Sequence, residues 1–426
     1  MEKFKRLQNI FKGDRIIWIV FFLLCLVSVI EVYSSAARLG YRTGNYWFHP
    51  TYHTVLLLVG FLCMLVVLNI QCRYFKVMTP LFFVFSVFLL VLVYFFGTKE
   101  NDAARWIRIG FIPIQPSEIA KGTLVLTTAH ILSQLQTPDG VSPKAFKYIM
   151  MTSAVLIGLV LPENFSTAAL MGVVVFIMMF VARVSIKNLL GLFVAVVATI
   201  GIAVMLVMLI GQSGEERAIA AVSEGQAAHE YAVKSDTTTT VKKKRTGVLH
   251  RMDLWKARIE TFLDSDDVPP EEFDMENKEQ EARAYIAIAS SDVIGRGPGR
   301  SVQRDLLPLA FSDFIYAIIF EEFGLFGGAL VAFLYIILLF RTGIIARQCE
   351  NTFPALLAMG LALMIVVQAL FNMCVAVGLA PVTGQPLPLI SKGGTSGIIN
   401  CIYIGVILSV SRTAKKRMST PEAVTK

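Results

Sequence analysis

The chain has 426 residues, of which 55% are hydrophobic and only 16% carry a charge. This composition is too apolar for a soluble protein and is typical of a polytopic helical membrane protein. The formal net charge is +8, but no basic motif with interleaved aromatic residues accompanies it. We therefore expect the membrane, and no nucleic acid, as the partner of this charge.

Windows of about 20 mainly apolar residues recur along the chain. They predict an all-α polytopic membrane protein with about ten transmembrane helices and one large extracytoplasmic loop. The predicted spans are 16–35, 52–70, 78–97, 117–135, 148–161, 166–182, 189–211, 315–340, 354–379 and 395–411. Only Pro162, Glu163 and Asn164 separate the fifth span from the sixth, which predicts a tight helical hairpin there.

The Lys and Arg content of the short loops sets the predicted orientation. With the N-terminus inside, 18 of these residues fall on the inner side and 6 in the short outer loops. Both termini are then cytoplasmic, and the long hydrophilic stretch lies outside. The predicted regions are a bundle of about seven helices (1–211), a large extracytoplasmic loop carrying the catalytic region (212–314), the C-terminal membrane helices (315–411) and a cytoplasmic tail (412–426).

Three carboxylates, Asp313, Glu321 and Glu322, lie within or at the mouth of an apolar stretch that begins at Leu306 and is long enough to cross a bilayer. Carboxylates are costly there and are functional candidates by default. If the run is helical, Asp313 and Glu321 lie roughly 80° apart around the axis and about 12 Å apart along it, with Glu322 near the opposite face. Paired carboxylates for glycoside hydrolysis stand about 5 to 9.5 Å apart. One carboxylate acting alone is therefore expected, in a reaction whose leaving group needs no protonation, such as sugar transfer from a lipid diphosphate.

The first polar outer segment is ARWIRIGFIPIQPSEIAK, residues 104–121. Arg105 and Arg108 are candidates to hold phosphate oxygens. Trp106 is a candidate to stack on a sugar face, although the interfacial aromatic belt is the favoured interpretation for this residue alone.

The end of the same segment predicts the start of a helix. Ser117 or Pro116 suits the first turn, and the helix dipole favours Glu118 there. Lys121, one turn further on, faces hydrocarbon unless a partner or a cavity accepts its charge.

Two further segments and one residue complete the outer set. The Gly-rich turn at 295–303 has a tight turn as its default explanation. The segment TGQPLPLISKGGTS, residues 383–396, predicts irregular backbone that survives at membrane depth only when buried in protein or lining a wet cavity. Asp313 suits either the N-cap of the eighth span or a catalytic role, and the residues alone leave these two close to even.

Four blocks now carry a resemblance: ARWIRIGFIPIQPSEIAK, GRGPGRSVQ, LLPLAFSDFIYAIIFEEFGLFGG and TGQPLPLISKGGTS. Together they resemble the signature blocks of the SEDS family, the polytopic bacterial peptidoglycan glycosyltransferases with FtsW and RodA branches. The blocks occur in family order, and the resemblance covers nearly the whole chain. Each block is moderately specific, and four in order are strongly so.

The resemblance implies polymerisation of lipid II into glycan strands on the outer face of the cytoplasmic membrane. The family's essential Asp falls on Asp313 and its Trp on Trp106, while Arg258 and Gln280 match an Arg and a Gln of the large loop. The candidate substrate-binding residues are Arg105, Trp106, Glu118, Lys121, Arg258, Gln280, Gly297, Ser301, Ser391 and Lys392.

Three departures from the family pattern are visible. Residues 309–312 replace a Glu and a His-Thr pair, which weakens the case for a helper His. Lys392 replaces an aromatic residue and adds a cation suited to phosphate, and Asn164 stands where an Asp is common. The sequences SDFIYA and VTGQPLPLIS are closer to the FtsW division branch than to the RodA elongation branch.

The resemblance also implies partners and a location. Asp313 is expected to be the general base, with undecaprenyl diphosphate as the leaving group. Arg105, Lys121 or Lys392 would stabilise its charge. No ligand cluster in the sequence requires a cofactor, although a divalent cation could share that role, and the metal is left open. The expected partners are a class B penicillin-binding protein and divisome proteins, at the septum in the bacterial inner membrane.

Two other functions stay open at this point. A lipid II flippase would use a similar charged cavity, but it should show gate features on both faces, whereas the special segments here are all on one side. A division scaffold that only recruits a transpeptidase would need no carboxylate at Asp313.

Overall fold

A computed structural model describes residues 11–35, 47–100, 103–109, 112–138, 140–210, 256, 279–307 and 312–418. Ten long helices run through these residues, one for each predicted span. The N-terminal set is α1 (Arg15–Ser35), α2 (Phe48–Asn69), α3 (Cys72–Phe96), α4 (Pro116–Gln134), α5 (Pro143–Val160), α6 (Phe165–Val181) and α7 (Ile186–Ile210). Two short helices follow, α8 (Glu279–Ala289) and α9 (Gln303–Leu306), and the C-terminal set is α10 (Ile315–Arg347), α11 (Thr352–Ala376) and α12 (Thr395–Met418).

Eight of these helices are long and apolar enough to cross a membrane, judged over the described part of the chain. Of the other two, α6 is apolar but has only 17 residues, and α4 carries the charged residues Glu118 and Lys121. The protein is therefore an integral membrane protein of the predicted all-α class, and each predicted span overlaps a helix, with ends that differ by up to seven residues.

Three short strands lie between α3 and α4. Strands β1 (Thr98–Glu100), β2 (Ala103–Ile109) and β3 (Ile112–Ile114) form an antiparallel sheet in that order, with Trp106 opposite Thr98 and Ile107 opposite Ile114. A second small hairpin, β4 (Gln136–Thr137) and β5 (Gly140–Val141), joins α4 to α5. The segment that contains Trp106 is thus extended backbone, which leads into α4.

The prediction of one continuous span from residue 315 is wrong, because α10 is broken at Gly324. Gly324 has φ 70° and ψ −169°, which are not helical values. The Tyr316 hydroxyl donates to the carbonyl of Gly328 at 3.0 Å. Twelve residues of straight helix span about 18 Å, so this bond requires the part before Gly324 to fold back on the part after it. We call residues 315–323 the half-helix; residues 325–347 alone are about 34 Å long and suffice to cross a bilayer.

The chain divides into two compact units. The first comprises Met1–Leu189, Glu279–Leu379 and Thr383–Lys426, and it contains every site residue discussed below except Arg258. The second comprises Leu190–Lys278 and Ala380–Val382 and includes most of α7. The greater part of the predicted large loop, from residue 211 to 278, lies outside the described residues apart from Lys256.

Close helix packing forms the core of the first unit. α11 is the most buried of the spanning helices. A Cβ at Gly60 of α2 would lie 2.9 Å from the Cys401 sulfur of α12, and one at Gly122 of α4 would lie 2.6 Å from the Tyr403 ring. These close approaches bring α2, α4 and α12 together, and they hold the start of α4 beside the segment that precedes α12.

Candidate functional site

Asp313 lies one residue before the N-cap of the half-helix. The N-cap position is occupied by Phe314, so Asp313 does not stand at the cap as one of the two interpretations expected. Its side chain is half-buried, and the Ser312 hydroxyl donates to Asp313 Oδ1 at 2.8 Å. A Cβ at Gly384 would lie 3.5 Å from Asp313 Oδ2, so the backbone of the 383–396 segment passes directly beside this carboxylate.

Two side chains fix the backbone around Asp313. The Asn372 amide of α11 donates to the carbonyl oxygens of Asp313 at 2.8 Å and of Gln385 at 2.7 Å. The Ser391 hydroxyl donates to the Ser312 carbonyl at 2.6 Å. Ser391 therefore holds the backbone next to Asp313, and its expected role in binding substrate stays a prediction.

The 383–396 segment is non-helical up to the start of α12, as the sequence predicts. Buried side chains from three helices donate to its backbone carbonyls, which satisfies polar groups that hydrocarbon could not. The donors are Gln368 to Pro386 O at 3.0 Å, Tyr335 to Pro388 O, and Ser28 to Ile390 O at 2.8 Å. The segment is thus a fixed loop enclosed by protein.

Gln385 extends this network to α6. Its amide donates to Thr167 Oγ1 at 2.8 Å and to Asn164 Oδ1 at 3.2 Å. Asn164 is the N-cap of α6 and also accepts from the Thr167 backbone N–H at 3.1 Å. The amide at position 164 can therefore cap the helix and hold Gln385 without carrying a charge.

Lys121 and Glu118 form a buried ion pair. Lys121 Nζ lies 2.8 Å from Glu118 Oε1 and donates to Gln368 Oε1 at 2.6 Å, and Lys121 is 0% exposed. Glu118 and Gln368 therefore accept the charge of Lys121, for which the sequence alone showed no partner. Lys121 is joined to the 383–396 segment through Gln368, whose amide donates to the Pro386 carbonyl at 3.0 Å, and its expected role in stabilising a diphosphate stays a prediction.

The start of α4 has Pro116, Ser117 and Glu118 in its first turn, as the sequence predicts. Gln115 is the N-cap, Pro116 opens the helix and no side chain caps it, so Ser117 is a buried first-turn residue. The Gln115 N–H donates to Thr395 Oγ1 at 3.4 Å, and the Tyr403 hydroxyl donates to the Glu118 carbonyl at 2.6 Å. Both contacts join this helix end to α12.

Lys392 is half-buried in the 383–396 segment. Burial lowers the pKa of its ammonium group below the usual value for lysine. A partly desolvated cation next to the loop that holds Asp313 is suited to bind a phosphate oxygen.

The remaining candidates either make contacts elsewhere in the fold or lie outside the described residues. Trp106 is half-buried in β2, and Gln280 is half-buried in α8. The Arg105 side chain and the whole of Arg258 lie outside the described residues. Gly297 and Ser301 are bound to α10: the Gly297 N–H donates to the Glu322 carbonyl at 2.8 Å, and the Ser301 hydroxyl donates to the Glu321 carboxylate.

Sequence reasoning missed the residues that hold the site together. Gln368 and Asn372 lie four residues apart on one face of an apolar helix, and that spacing of polar groups within a span was a usable signal. No local signal marks Tyr335 or Ser28, because their role depends on a carbonyl more than fifty residues away.

The described residues contain no cluster of three or more His, Cys, Asp or Glu side chains that could hold a metal ion. Asp313 is a half-buried carboxylate, and the half-buried Lys392 directly follows Ser391, whose hydroxyl binds the backbone of Ser312.

Comparison with known proteins gives concordant matches. A family model described as "Cell cycle protein" (FTSW_RODA_SPOVE) matches residues 14–230 and 238–416. Two proteins named "Probable peptidoglycan glycosyltransferase FtsW" are similar over almost their whole length. The one from Coxiella burnetii is 28% identical over 92% of this chain and 95% of its own, and the one from Halomonas elongata is 29% identical over 92% and 90%.

Solved structures show the same fold. A structure described as "Structural coordination of polymerization and crosslinking by a peptidoglycan synthase complex" aligns with TM-score 0.67 and 21% identity over 94% of this chain and 98% of the other. The crystal structure of Thermus thermophilus rod shape determining protein RodA aligns with TM-score 0.62 and 20% identity over 95% and 98%.

Proposed function

Because the chain belongs to the FtsW/RodA/SpoVE family of cell cycle proteins, we propose that it is a peptidoglycan glycosyltransferase that polymerises lipid II at the outer face of the cytoplasmic membrane. The assignment to the division branch, and hence to septal synthesis, follows the FtsW name of its relatives. The observation that carries the mechanism is the half-buried Asp313 carboxylate, held against the 383–396 loop by Asn372 and Ser391.

In the proposed reaction Asp313 takes the proton from the 4-hydroxyl of the acceptor sugar. The freed oxygen attacks the anomeric carbon of the donor, a new C–O bond forms with inversion, and the bond to the diphosphate breaks. Undecaprenyl diphosphate leaves as an anion, so no general acid is needed. One carboxylate is enough for this chemistry, and Asp313 lies beside the 383–396 loop.

The leaving diphosphate needs positive charge near it. We propose Lys392 as the cation that meets it, because this side chain is half-buried in the loop that contacts Asp313. Lys121 acts indirectly: it donates to Gln368, and the Gln368 amide holds the Pro386 carbonyl of the loop. Arg105 and a divalent cation are further proposals for the same charge.

The proposed partners follow from the chemistry of the product. Uncrosslinked glycan must be crosslinked by a transpeptidase, and we propose a class B penicillin-binding protein and other divisome proteins as partners. One similar structure is described as a synthase complex that coordinates polymerisation and crosslinking, which supports this proposal. The proposed location is the inner membrane at the septum, with both termini cytoplasmic.

The test is polymerisation of labelled lipid II by the purified protein, with and without the cognate transpeptidase. Asp313→Asn should lower the rate about 10²- to 10⁴-fold, the usual contribution of general-base catalysis. Asp305→Asn is the matched control, because Asp305 is a carboxylate in the same outer region with a side chain that is 52% exposed. A normal glycan yield from folded Asp313→Asn would argue against Asp313 as the base and in favour of the flippase or scaffold function.

A further inference from the structure

The Gly-rich turn is bound to the break in α10 by four backbone hydrogen bonds. We call residues 292–303 the latch. The four bonds run from Arg296 N to Glu321 O at 3.0 Å, Gly297 N to Glu322 O at 2.8 Å, Leu325 N to Asp292 O at 3.2 Å, and Phe326 N to Val293 O at 3.2 Å. Two of them satisfy the C-terminal carbonyls of the half-helix and two satisfy the N–H groups that open the next helix. The latch therefore supplies partners that the break in α10 would otherwise lose.

Gly295 and Gly324 allow this contact. Both have positive φ values, 77° and 70°. A Cβ at Gly295 would lie 2.3 Å from the Gly324 nitrogen, and one at Gly324 would lie 2.4 Å from the Val293 carbonyl oxygen. The backbones touch with no room for a side chain, so the break in α10 and the latch depend on each other.

The Glu321 side chain holds the other half of the latch. Glu321 is 0% exposed, and its carboxylate binds groups in residues 296–303. Its carboxylate accepts from Arg296 Nη1 at 3.1 Å, from the Ser301 hydroxyl, from Val302 N at 2.9 Å and from Gln303 N at 3.2 Å. The last two groups are the opening N–H groups of α9. A buried carboxylate that loses such partners is strongly destabilised, so Glu321 favours the docked latch.

The half-helix connects Glu321 to Asp313. It is about 13 Å long, and helical hydrogen bonds make it stiff. At the end beside Asp313, Asn372 and Ser391 hold the backbone of residues 312 and 313, and Tyr316 in the first turn is bonded to Gly328. Glu321 fixes the other end. A stiff segment held at both ends transmits a displacement of one end to the other.

We propose that Glu321 is a positioning residue for Asp313: by docking the latch it sets the position of the half-helix, and thereby of the base. This inference rests on the proposed function of Asp313. Glu321 touches no reacting atom and acts on the rate through the position of Asp313. A displacement of about 1 Å in a catalytic group can cost 10²-fold in rate, so loss of the latch should be visible in kcat.

Glu321→Gln tests this inference in the full-length protein. The amide keeps the shape but loses the charge and presents a donor toward the Val302 and Gln303 N–H groups. We expect kcat for lipid II polymerisation to fall 10- to 100-fold with KM changed less than about threefold. We also expect faster amide hydrogen exchange in residues 292–303.

Asp14→Asn is the matched control. The Asp14 carboxylate also accepts from two backbone N–H groups, of Ile16 and Ile17, and from an arginine, Arg341 at 2.7 Å. That arginine lies near the other end of α10. Both kcat and exchange in the latch should stay at wild-type values in this variant.

Arg296→Gln removes one partner of Glu321 but leaves the Glu321 carboxylate charged. This variant replaces Glu321→Gln in the test if Glu321→Gln does not fold. It should lower kcat in the same direction by a smaller factor, with KM unchanged. Unaltered kcat despite faster exchange in the latch would overturn the inference, as would a loss of kcat without any change in exchange. Failure of the proposed function has a separate signature, because Asp313→Asn would then match the wild-type rate while exchange in the latch still responds to Glu321→Gln.

Discussion

The two ends of α10 hold similar carboxylates in different settings. Glu321 and Asp14 each accept two backbone N–H groups and an arginine. Asp14 precedes α1 and ties it to an unbroken stretch of α10. Glu321 lies at a break, where a fold-back segment carries the proposed base. The contact at Asp14 therefore supports packing alone, whereas the contact at Glu321 also determines where a functional group stands.

The difference follows from one backbone feature. A continuous helix spreads the loss of one side-chain contact over many hydrogen bonds. A half-helix of nine residues is marginal in isolation, so it depends on what holds its ends. The same logic applies to the 383–396 loop, whose carbonyls rely on Gln368, Asn372 and Tyr335.

The largest effect is expected from Gly324→Ala. An added Cβ would clash with backbone atoms of the latch at 2.4 to 2.5 Å, and φ 70° is strained for alanine. We expect a loss of roughly 3 kcal/mol or more in the free energy of unfolding, read as a lower thermal midpoint in detergent. Gly158→Ala is the control, since nothing lies within 4 Å of its Cβ, and it should be neutral or stabilising. Equal midpoints for the two variants would show that the break is not required.

Asn372→Leu should have the next largest effect. It leaves the Asp313 and Gln385 carbonyls without their donor, at about 1 to 3 kcal/mol for each buried group. The rate of polymerisation should fall as well, because the backbone at Asp313 loses the hydrogen bond that holds it in place. Thr342→Val in α10 removes only a bond to Leu338 one turn earlier and should cost much less. The comparison fails if the two substitutions lower activity and thermal midpoint alike.

Lys392 gives a smaller effect that depends on pH. Its ammonium group has a pKa lowered by burial, so its charge is lost as the pH rises through a value below that of an ordinary lysine. If it binds the diphosphate, kcat/KM should decline at that alkaline pH. Lys392→Arg stays charged and should shift the decline to higher pH. Superimposable pH profiles of wild type and Lys392→Arg would remove Lys392 from the mechanism.

The smallest effect is expected from Asp14→Asn. Burial alone would raise the pKa of Asp14, but hydrogen bonds from Arg341 and two backbone N–H groups outweigh it and lower the pKa. The folded-state pKa is then below the unfolded one, so the stabilisation is present above about pH 4 and is lost as the pH falls through the folded value. We expect about 1 kcal/mol at pH 7, because the pair is partly exposed. Thermal midpoints of the two proteins should converge at acid pH.

Much of the fold is predictable from the sequence, because each span is an apolar run of about 20 residues and lipid leaves few alternatives to a helix. The hairpin at Pro162 and the helix start at Pro116 are local signals of the same kind. The β2–β3 strands were also within reach, since RWIRI is rich in the residues that strands favour.

The break at Gly324 was not predictable in this way. A glycine in an apolar run is compatible with a continuous helix, and the positive φ depends on contact with Gly295, which lies 29 residues earlier. The partner of Lys121 is equally distant, since Gln368 is 247 residues away. Sequence patterns identify polar residues that are costly to bury in a membrane. Only the tertiary structure shows which groups form hydrogen bonds or ion pairs with them.

The most direct test of the account is a single-turnover polymerisation assay on lipid II in proteoliposomes, run on Asp313→Asn and Asp14→Asn side by side. Both substitutions neutralise one carboxylate in the same chain. The account predicts that Asp313→Asn loses about 10²-fold or more in rate, while Asp14→Asn stays within about twofold of wild type. Equal rates for the two folded variants would contradict the assignment of Asp313 as the base.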